Sequence, residues 1–232
     1  MARQDRNTIF VEDARVLCHT SHPDAQFVLR LAAPECAARA TAGSFVHIRC
    51  SPELPMRRPL SIMQADPDGG WIEVLYKIVG AGLADLSRLE PGDTLSVMGP
   101  IGNGFSPDPE RPTTLLIGGG VGIPPLIFLA KQLKADNSAD WNPLALFGSE
   151  IPFPFELSEP IDALDNIPPE ATSALAILDQ VGVDSRLASN AGFAGCFPGF
   201  VTDLADSWLT ARSEAELART MVFACGPEPM LE

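Results

Sequence analysis

Residues 114–125, TLLIGGGVGIPP, decide the fold of this chain because a strand, a glycine turn and a helix start follow one another within them. Residues 115–117 form a short apolar run with the length and branching of a buried strand. Glycines at positions 118, 119, 120 and 122 come next, and Ile123, Pro124 and Pro125 open an apolar helical pattern. Glycine permits positive φ and close approach of a ligand, and the free N–H groups of a first helical turn attract phosphate. The stretch therefore predicts a phosphate-binding bend. Its G-x-G-x-x-P spacing departs from the G-x-G-x-x-G fingerprint, and a plain connecting turn is the alternative.

The composition is that of a globular protein with a sizeable core, since 46% of the 232 residues are hydrophobic. The length suits one large or two modest domains. No apolar run reaches the roughly 18 residues of a membrane span, and the N-terminus lacks the apolar core of a signal peptide, so we expect a cytoplasmic protein. The formal charge of −14 argues against a nucleic-acid partner, whose phosphates require Lys and Arg. It indicates solubility or, alternatively, an acidic face that steers a basic partner protein.

The cysteines and histidines show no metal-binding pattern. The five cysteines are odd in number and widely spaced, and no C-x-x-C occurs, which argues against a disulfide framework and against a self-contained metal or iron–sulfur site. We expect most of them to be buried thiols and the three histidines to be structural or surface residues. The residues concerned are Cys18, Cys36, Cys50, Cys196 and Cys225, and His19, His22 and His47.

The first half of the chain has the pattern of an antiparallel β-structure. Short β-branched or apolar runs alternate with turn-like segments, of which residues 66–70, DPDGG, form a hairpin turn by composition. Several short strands at this spacing predict an antiparallel barrel or sandwich. The predicted strands are residues 10–19, 26–31, 45–49, 71–79 and 94–98.

From residue 113 onward strands and helices alternate, which is the pattern of a parallel α/β sheet. A proline-rich linker, SPDPERP at residues 106–112, separates the two patterns. We therefore predict an N-terminal domain of residues 1–108 and a C-terminal domain of residues 109–232. The expected strands of the second domain are residues 115–117, 144–147, 185–188 and 221–224, and the expected helices are residues 123–134, 169–181 and 200–211.

Two segments of the first domain carry candidate ligand-binding residues. In residues 57–62, RRPLSI, two arginines can contact a pyrophosphate and Ser61 can hydrogen-bond a flavin ring edge; surface arginines on an edge strand are the alternative. Residues 75–82, LYKIVGAG, contain the only tyrosine and lead into a short helix. Tyr76 can stack on a ring there and the helix start can face phosphate, or the segment is only a strand that ends at a glycine turn.

Five segments in this order resemble the motifs of the ferredoxin reductase-like flavoproteins. They are RRPLSI, LYKIVGAG, GPIGNGF at residues 99–105, GGGVGIPP and ACGPEPM at residues 224–230. Within that family the chain is most similar to the electron-transfer subunits of dihydroorotate dehydrogenase, over residues 9–232. The resemblance implies an N-terminal Greek-key antiparallel β-barrel that binds FAD, followed by a Rossmann-like parallel α/β domain that binds NAD(H).

The resemblance also assigns residues to the two cofactors. It implies that Arg58 binds the FAD pyrophosphate, that Ser61 contacts the isoalloxazine edge, and that Cys225 lies beside the nicotinamide without covalent chemistry. Ser61 and Cys225 are thus the expected catalytic positions. Leu83 stands where the family usually has threonine, so one hydroxyl contact to the FAD phosphate is lost or replaced. The other residues implied for FAD are Pro59, Leu60, Leu75, Tyr76, Lys77 and Gly82, and those implied for the pyridine nucleotide are Gly119, Gly120, Gly122, Pro124, Cys225, Gly226 and Pro227.

An acidic residue follows the second strand of the α/β domain, where this fold meets the adenosine ribose. Glu150 can hydrogen-bond a free 2′-hydroxyl and repel a 2′-phosphate, and no Arg or Lys occurs between Lys134 and Arg186. We therefore expect NADH rather than NADPH, with Glu150 as a main discriminator. The alternative is that Glu150 points to solvent at the start of the proline-rich segment 151–168.

The resemblance implies that the chain passes electrons between NAD(H) and a partner redox centre, with hydride transfer between nicotinamide and flavin in the cleft between the domains. The expected partner is the dihydroorotate dehydrogenase catalytic subunit, in pyrimidine biosynthesis, or another electron-transfer protein. The family carries a C-terminal cysteine cluster for a [2Fe–2S] centre, which these residues lack, so we expect a truncated product or fragment. The alternatives are a stand-alone NAD(P)H:flavin or ferredoxin oxidoreductase and a non-catalytic nucleotide-binding module.

Overall fold

The computed structural model describes residues 8–51, 53–160, 164 and 166–232. The chain divides into two compact units, Met1–Phe105 and Ser106–Glu232, and the boundary predicted between residues 108 and 109 falls within the second. No helix in the described ranges is long and apolar enough to cross a membrane.

The first unit is a closed barrel of antiparallel strands, which confirms the predicted Greek-key barrel. The strands close in the order β1-β2-β5-β4-β3-β6, and two short helices lie in their connections. The strands are β1 (Phe10–His22), β2 (Gln26–Ala32), β3 (Phe45–Ile48), β4 (Arg58–Asp66), β5 (Trp71–Lys77) and β6 (Thr94–Ile101); the helices are α1 (Pro34–Ala37) and α2 (Ala81–Leu86).

Alternation of apolar and polar residues along the barrel strands determines which face of a strand points into the core. In β2, Leu29 and Leu31 are fully buried, whereas Arg30 between them is partly exposed. Successive side chains of a strand point to opposite faces, so one face of β2 fills the barrel and the other meets solvent. The predicted DPDGG hairpin connects β4 to β5, and the Gly69 N–H donates to the Asp66 side chain over 2.9 Å.

The second unit is a four-stranded parallel sheet with helices, which confirms the predicted α/β architecture. Its strand order is β11-β8-β7-β12, and β9 and β10 form a separate antiparallel pair. The strands are β7 (Thr113–Gly119), β8 (Asn142–Gly148), β9 (Leu157–Ser158), β10 (Ala174–Leu175), β11 (Asp184–Ala188) and β12 (Thr220–Cys225). The helices are α3 (Ile123–Ala135), α4 (Ala176–Asp179), α5 (Val201–Thr210), α6 (Glu214–Ala218) and α7 (Glu228–Leu231), and a 3-10 turn, Gly120–Gly122, precedes α3.

The central strands β7 and β8 are buried along nearly their whole length because helices cover both faces of the sheet there. Leu115 and Ile117 of β7 share a buried cluster with Leu204 of α5. Gly118, on the other face, lies against Leu126 of α3, whose Cδ1 would be 3.2 Å from an added Cβ. The helices α3 and α5 therefore pack on opposite faces of β7.

The prediction of a helix over residues 169–181 is wrong. The structure has the short strand β10 and the four-residue helix α4 in that range. Before residue 176 the backbone makes long-range hydrogen bonds instead of helical ones. The N–H groups of Thr172 and Ser173 both donate to the Gly195 carbonyl, and β10 pairs with β9. The segment 151–168 contains β9, and its residues 161–163 and 165 lie outside the described ranges.

Candidate functional site

The two adjacent arginines of the RRPLSI segment have different surroundings. Arg57 donates from Nη1 to the Ser96 carbonyl over 2.9 Å and to the His47 carbonyl over 3.3 Å, and from Nη2 to the Ser96 hydroxyl over 2.9 Å. The Arg58 guanidinium makes no hydrogen bond or ion pair with any residue that the structure describes. It lies beside Gly82, where an added Cβ would be 3.2 Å from Arg58 Nε. Arg57 therefore holds barrel strands together, while no described residue occupies the donors of the Arg58 guanidinium.

A glycine turn brings the start of α2 next to Arg58. Gly80 has φ +92° and ψ 175°, a conformation essentially restricted to glycine. The first intrahelical bond runs from the Ala84 N–H to the Gly80 carbonyl, so the N–H groups of residues 81–83 precede it. Leu83 is apolar and only 5% exposed. Its side chain therefore does not replace the threonine hydroxyl that the family usually has at this position. The turn offers backbone donors next to a cationic side chain.

Strands β4 and β5 place the other residues assigned to FAD on neighbouring strands of the barrel. The two strands pair with Ile62 opposite Val74, so Ser61 and Leu75 each lie one residue from that pair. The Ser61 hydroxyl is half-buried and makes no hydrogen bond within the described part of the chain. Leu60, Leu75 and Tyr76 are buried, Lys77 is partly exposed and Pro59 is exposed.

The ring of Tyr76 is occupied inside the barrel. It is 1% exposed and stacks on Phe27 with ring centroids 5.4 Å apart, so the expectation that its face is open to a cofactor ring is not met. Its hydroxyl lies 2.9 Å from Nε2 of His19, and Nδ1 of His19 lies 2.8 Å from the Leu89 carbonyl. Burial raises the pKa of Tyr76, which therefore keeps its phenolic proton. His19 links β1, β5 and the segment before β6, in line with the structural role expected for it.

The glycine turn after β7 and the C-G-P turn after β12 meet at the carboxyl edge of the sheet. The two strands are neighbours, with Gly118 opposite Cys225. An added Cβ on Gly122 would lie 2.1 Å from the Cys225 carbonyl oxygen, and one on Gly226 would lie 2.5 Å from Cε of Met230. Gly120, in contrast, has φ +53° and nothing within 4 Å of an added Cβ. Close packing therefore brings the two turns together, and space remains at Gly120.

This meeting point is also where the strand order reverses. The chain runs from β7 outward to β8 and β11 and then returns to β12 on the other side of β7. Open α/β sheets bind ligands outside the carboxyl ends of their strands at such a point. The structure brings together there Gly119, Gly120, Gly122, Pro124, Cys225, Gly226 and Pro227.

Cys225 is a half-buried thiol at the end of β12. Burial raises its pKa above the ordinary value for cysteine, so the side chain is a neutral thiol near pH 7. A thiolate, not a thiol, is the nucleophile in cysteine chemistry. The Cys225 side chain is therefore not activated as a nucleophile.

Glu150 lies two residues past the end of β8 and is exposed. Its Oε1 accepts from the Asn190 N–H over 3.3 Å and from Asn190 Nδ2 over 3.4 Å. The strands β8 and β11 pair with Gly148 opposite Ala188, which puts both residues just beyond the carboxyl edge. Sequence reasoning missed Asn190, because an asparagine in a loop gives no pattern that links it to a residue forty positions earlier.

Among the described residues, no group of three or more His, Cys, Asp or Glu side chains is arranged to hold a metal ion. The donor chemistry at both glycine turns is that of backbone N–H groups and one guanidinium, which suits phosphate rather than a cation.

A closed antiparallel barrel followed by a parallel α/β unit with a glycine turn defines a flavin-dependent oxidoreductase of the ferredoxin reductase-like class. Residues 14–105 match the family model of the oxidoreductase FAD-binding domain. The fold is similar to an NADH-dependent reduced ferredoxin–NADP oxidoreductase studied for flavin-based electron bifurcation, with 26% identity and a TM-score of 0.69 over 95% of this chain and 70% of that one. It is also similar to the ferredoxin reductase in carbazole 1,9a-dioxygenase, with 23% identity and a TM-score of 0.70 over 96% of this chain and 63% of that one.

Sequence relatives narrow the class further. The chain is 31% identical over 223 residues to the dihydroorotate dehydrogenase B (NAD(+)) electron transfer subunit of Listeria monocytogenes serotype 4b (strain F2365), covering 95% of this chain and 76% of that protein. It is 33% identical over 193 residues to the corresponding subunit of Bacillus caldolyticus, covering 82% of this chain and 64% of that protein. The chain belongs to the family of dihydroorotate dehydrogenase B electron transfer subunits.

Proposed function

We propose that this chain binds FAD in its barrel unit and NAD(H) in its α/β unit, and that it passes electrons between NAD(H) and a partner redox centre. The partner is the catalytic subunit of dihydroorotate dehydrogenase, so the chain serves pyrimidine biosynthesis. Membership of the family supports this proposal, since relatives at about 31% identity are named as the electron transfer subunit of dihydroorotate dehydrogenase B (NAD(+)).

The observation that carries the FAD assignment is the contrast between Arg57 and Arg58. Arg57 is fully engaged by backbone and hydroxyl oxygens of the barrel, whereas the donors of Arg58 have no partner in the described part of the chain. An added Cβ at Gly82 would be 3.2 Å from Arg58 Nε, so only glycine leaves this space between the guanidinium and the α2 backbone. A guanidinium and several backbone N–H groups converging on one space fit a pyrophosphate. FAD has a pyrophosphate, whereas FMN has a single phosphate.

FAD, when bound, supplies the exchange of electron pairs with NAD(H) and of single electrons with the partner. The protein supplies position and surroundings. The Arg58 guanidinium binds the diphosphate, and the Ser61 hydroxyl donates a hydrogen bond to the flavin edge. Leu60, 8% exposed, provides an apolar wall that keeps water away from the flavin.

The pyridine nucleotide is assigned to the carboxyl edge of the sheet. The turn at Gly119 and Gly120 has room for a phosphate because nothing lies within 4 Å of an added Cβ at Gly120. Cys225 stays a neutral thiol beside the nicotinamide. Glu150, oriented by Asn190, accepts a hydrogen bond from the 2′-hydroxyl of the adenosine ribose and repels a 2′-phosphate, which makes NADH the substrate.

The experiment that tests this function has two parts. NADH is expected to bleach the visible absorbance of the flavin in the isolated chain. Dihydroorotate is expected to bleach it only after the catalytic subunit has been added and a complex has formed. Bleaching by NADH without complex formation would favour the stand-alone reductase, and absence of bleaching by NADH in a flavin-loaded chain would favour the non-catalytic module.

A further inference from the structure

Met230 contacts both glycine turns at the carboxyl edge of the sheet. An added Cβ on Gly119 would lie 2.7 Å from Sδ of Met230. An added Cβ on Gly226 would lie 2.5 Å from Cε and 2.8 Å from Sδ of the same side chain. Gly119 ends β7, and Gly226 follows β12. One thioether therefore occupies the side-chain positions of a glycine in each turn.

Backbone conformation does not explain these two glycines. Gly119 has φ −125° and ψ 124°, which is extended backbone that any residue adopts, and the φ of Gly226 lies outside the left-handed region. Glycine also permits the close approach of another group, because it has no Cβ. The two positions are therefore small because the Met230 side chain packs against both of them.

The position of Met230 is fixed from the opposite side as well. Its N–H donates to the Pro227 carbonyl over 2.9 Å, which closes the turn at the start of α7. The side chain also packs against the buried cluster that contains Leu115 and Ile117 of β7. An unbranched thioether suits an irregular space of this kind. Met230 thus joins the core of the sheet to the two turns at its edge.

These contacts hold the open glycine between two packed neighbours in the sequence. Met230 covers Gly119, and the Cys225 carbonyl oxygen occupies the side-chain position of Gly122, whereas Gly120 has nothing within 4 Å of an added Cβ. The turn after β7 is therefore held against the C-G-P turn at two points. A ligand that contacts both turns binds more tightly when their spacing is set before it arrives.

We propose that Met230 is a positioning residue for the pyridine nucleotide, and that its thioether sets the spacing of the two turns that bind this ligand. The inference rests on the nucleotide site proposed above. Met230 acts through Gly119 and Gly226 and not by a contact of its own with the nucleotide. Loss of the thioether lowers the fraction of molecules in which both turns are correctly placed, and the apparent dissociation constant rises in inverse proportion to that fraction.

The test uses NAD+ as the probe on the oxidised, FAD-loaded chain, because two oxidised partners exchange no electrons. Calorimetry gives the dissociation constant, and urea unfolding gives stability separately. Met230→Ala is expected to raise the dissociation constant about tenfold, and Met230→Leu, of similar volume, less than about threefold. Leu231→Ala is the matched control on α7, since Leu231 is 54% exposed, and its affinity should not change.

Two outcomes separate this inference from the function on which it rests. An unchanged dissociation constant in folded Met230→Ala would overturn the role of Met230 even if stability fell, because a purely structural residue alters the fraction folded and not the affinity of the folded chain. Absence of NAD+ binding by the unmodified chain would refute the nucleotide site and this inference together.

Gly226→Ala tests the contact itself. In the unmodified chain the new Cβ meets the thioether, and we expect the dissociation constant for NAD+ to rise at least about tenfold. In the Met230→Ala background the nearest remaining atom is the Gly119 nitrogen at 3.3 Å. The same substitution should then add less than about threefold. Equal factors in the two backgrounds would contradict the proposal.

Methyl NMR of the unmodified chain gives a test that needs no destabilising variant. Because NAD+ contacts both turns that the Met230 methyl touches, its addition should shift this resonance, which is assigned by its loss in Met230→Leu. The Met63 methyl, in a residue 1% exposed inside the barrel unit, is the reference and should shift less. A Met230 resonance that does not respond to saturating NAD+ would overturn the proposal even if Met230→Ala does not fold.

Discussion

Replacing Arg57 and Arg58 one at a time by alanine separates flavin binding from barrel stability. Arg58 has no partner among the described residues, so Arg58→Ala removes only a charge-assisted contact to FAD, worth about 1.5–3 kcal/mol. That corresponds to a roughly 10- to 150-fold increase in the FAD dissociation constant. Arg57→Ala removes three hydrogen bonds and leaves the carbonyls of His47 and Ser96 without this donor. We expect it to lower the unfolding free energy of the barrel by about 2–4 kcal/mol.

Two measurements on the flavin-free chain check this reasoning. Titration with FAD, followed by the quenching of flavin fluorescence, gives the dissociation constant of each variant. Urea unfolding gives the stability of the barrel unit when it is followed by the fluorescence of Trp71 in β5, in chains that carry Trp141→Phe and Trp208→Phe. Arg58→Lys should bind FAD with intermediate affinity, because it keeps the charge and loses the fork. If folded Arg57→Ala lost FAD while Arg58→Ala kept it, the assignment of the pyrophosphate to Arg58 would be refuted.

Three further predictions concern the α/β unit. Gly122→Ala forces a Cβ to within 2.1 Å of the Cys225 carbonyl oxygen and should cost about 1–3 kcal/mol of stability, whereas Gly120→Ala, with open space, should cost about 1 kcal/mol in urea unfolding. Glu150→Arg should move the ratio of flavin reduction rates toward NADPH, and Asn190→Ala should move it less in the same direction; an unchanged ratio in Glu150→Arg would remove Glu150 from the site. The Cys225 thiol, whose pKa is raised by burial, should be alkylated slowly near neutral pH and faster as the pH rises, and Cys225→Ala should keep measurable flavin reduction.

The fold was predictable where burial imposes a regular pattern. The alternation of Leu29, Arg30 and Leu31 in β2 and the apolar run of residues 115–117 in β7 correspond to one buried face and two buried faces, and both strands were expected within a few residues of their bounds. The wrong prediction of a helix over residues 169–181 has a different cause. The backbone of Thr172 and Ser173 is held by the Gly195 carbonyl, a bond between distant segments that overrides local helical spacing. Local patterns carry no information about such long-range backbone pairing.

In the candidate site, too, local motifs could be predicted from the sequence, whereas contacts between distant segments could not. The RRPLSI motif offered two arginines for a pyrophosphate, and the family resemblance implied Arg58. The structure adds a physical reason for that choice, because Arg57 donates to Ser96 on another strand. The only tyrosine suggested an aromatic platform for a cofactor. Its ring is instead enclosed by Phe27 and its hydroxyl is bound by His19, residues that precede it by about fifty positions in the sequence.

The two readings offered for the glycine turn, a phosphate-binding bend and a plain connecting turn, apply to different glycines within it. Gly122 is explained by packing alone, since the Cys225–Gly226 peptide occupies the place of its side chain. Gly120 has no such neighbour: its φ of +53° favours glycine, and the space beside it is open at the point where the strand order reverses. Packing therefore accounts for the closed side of the turn, whereas the open side has the room that the proposed nucleotide site requires. It follows that Gly122→Ala mainly reports on stability, and that nucleotide affinity at matched stability is the property that Gly120→Ala should change.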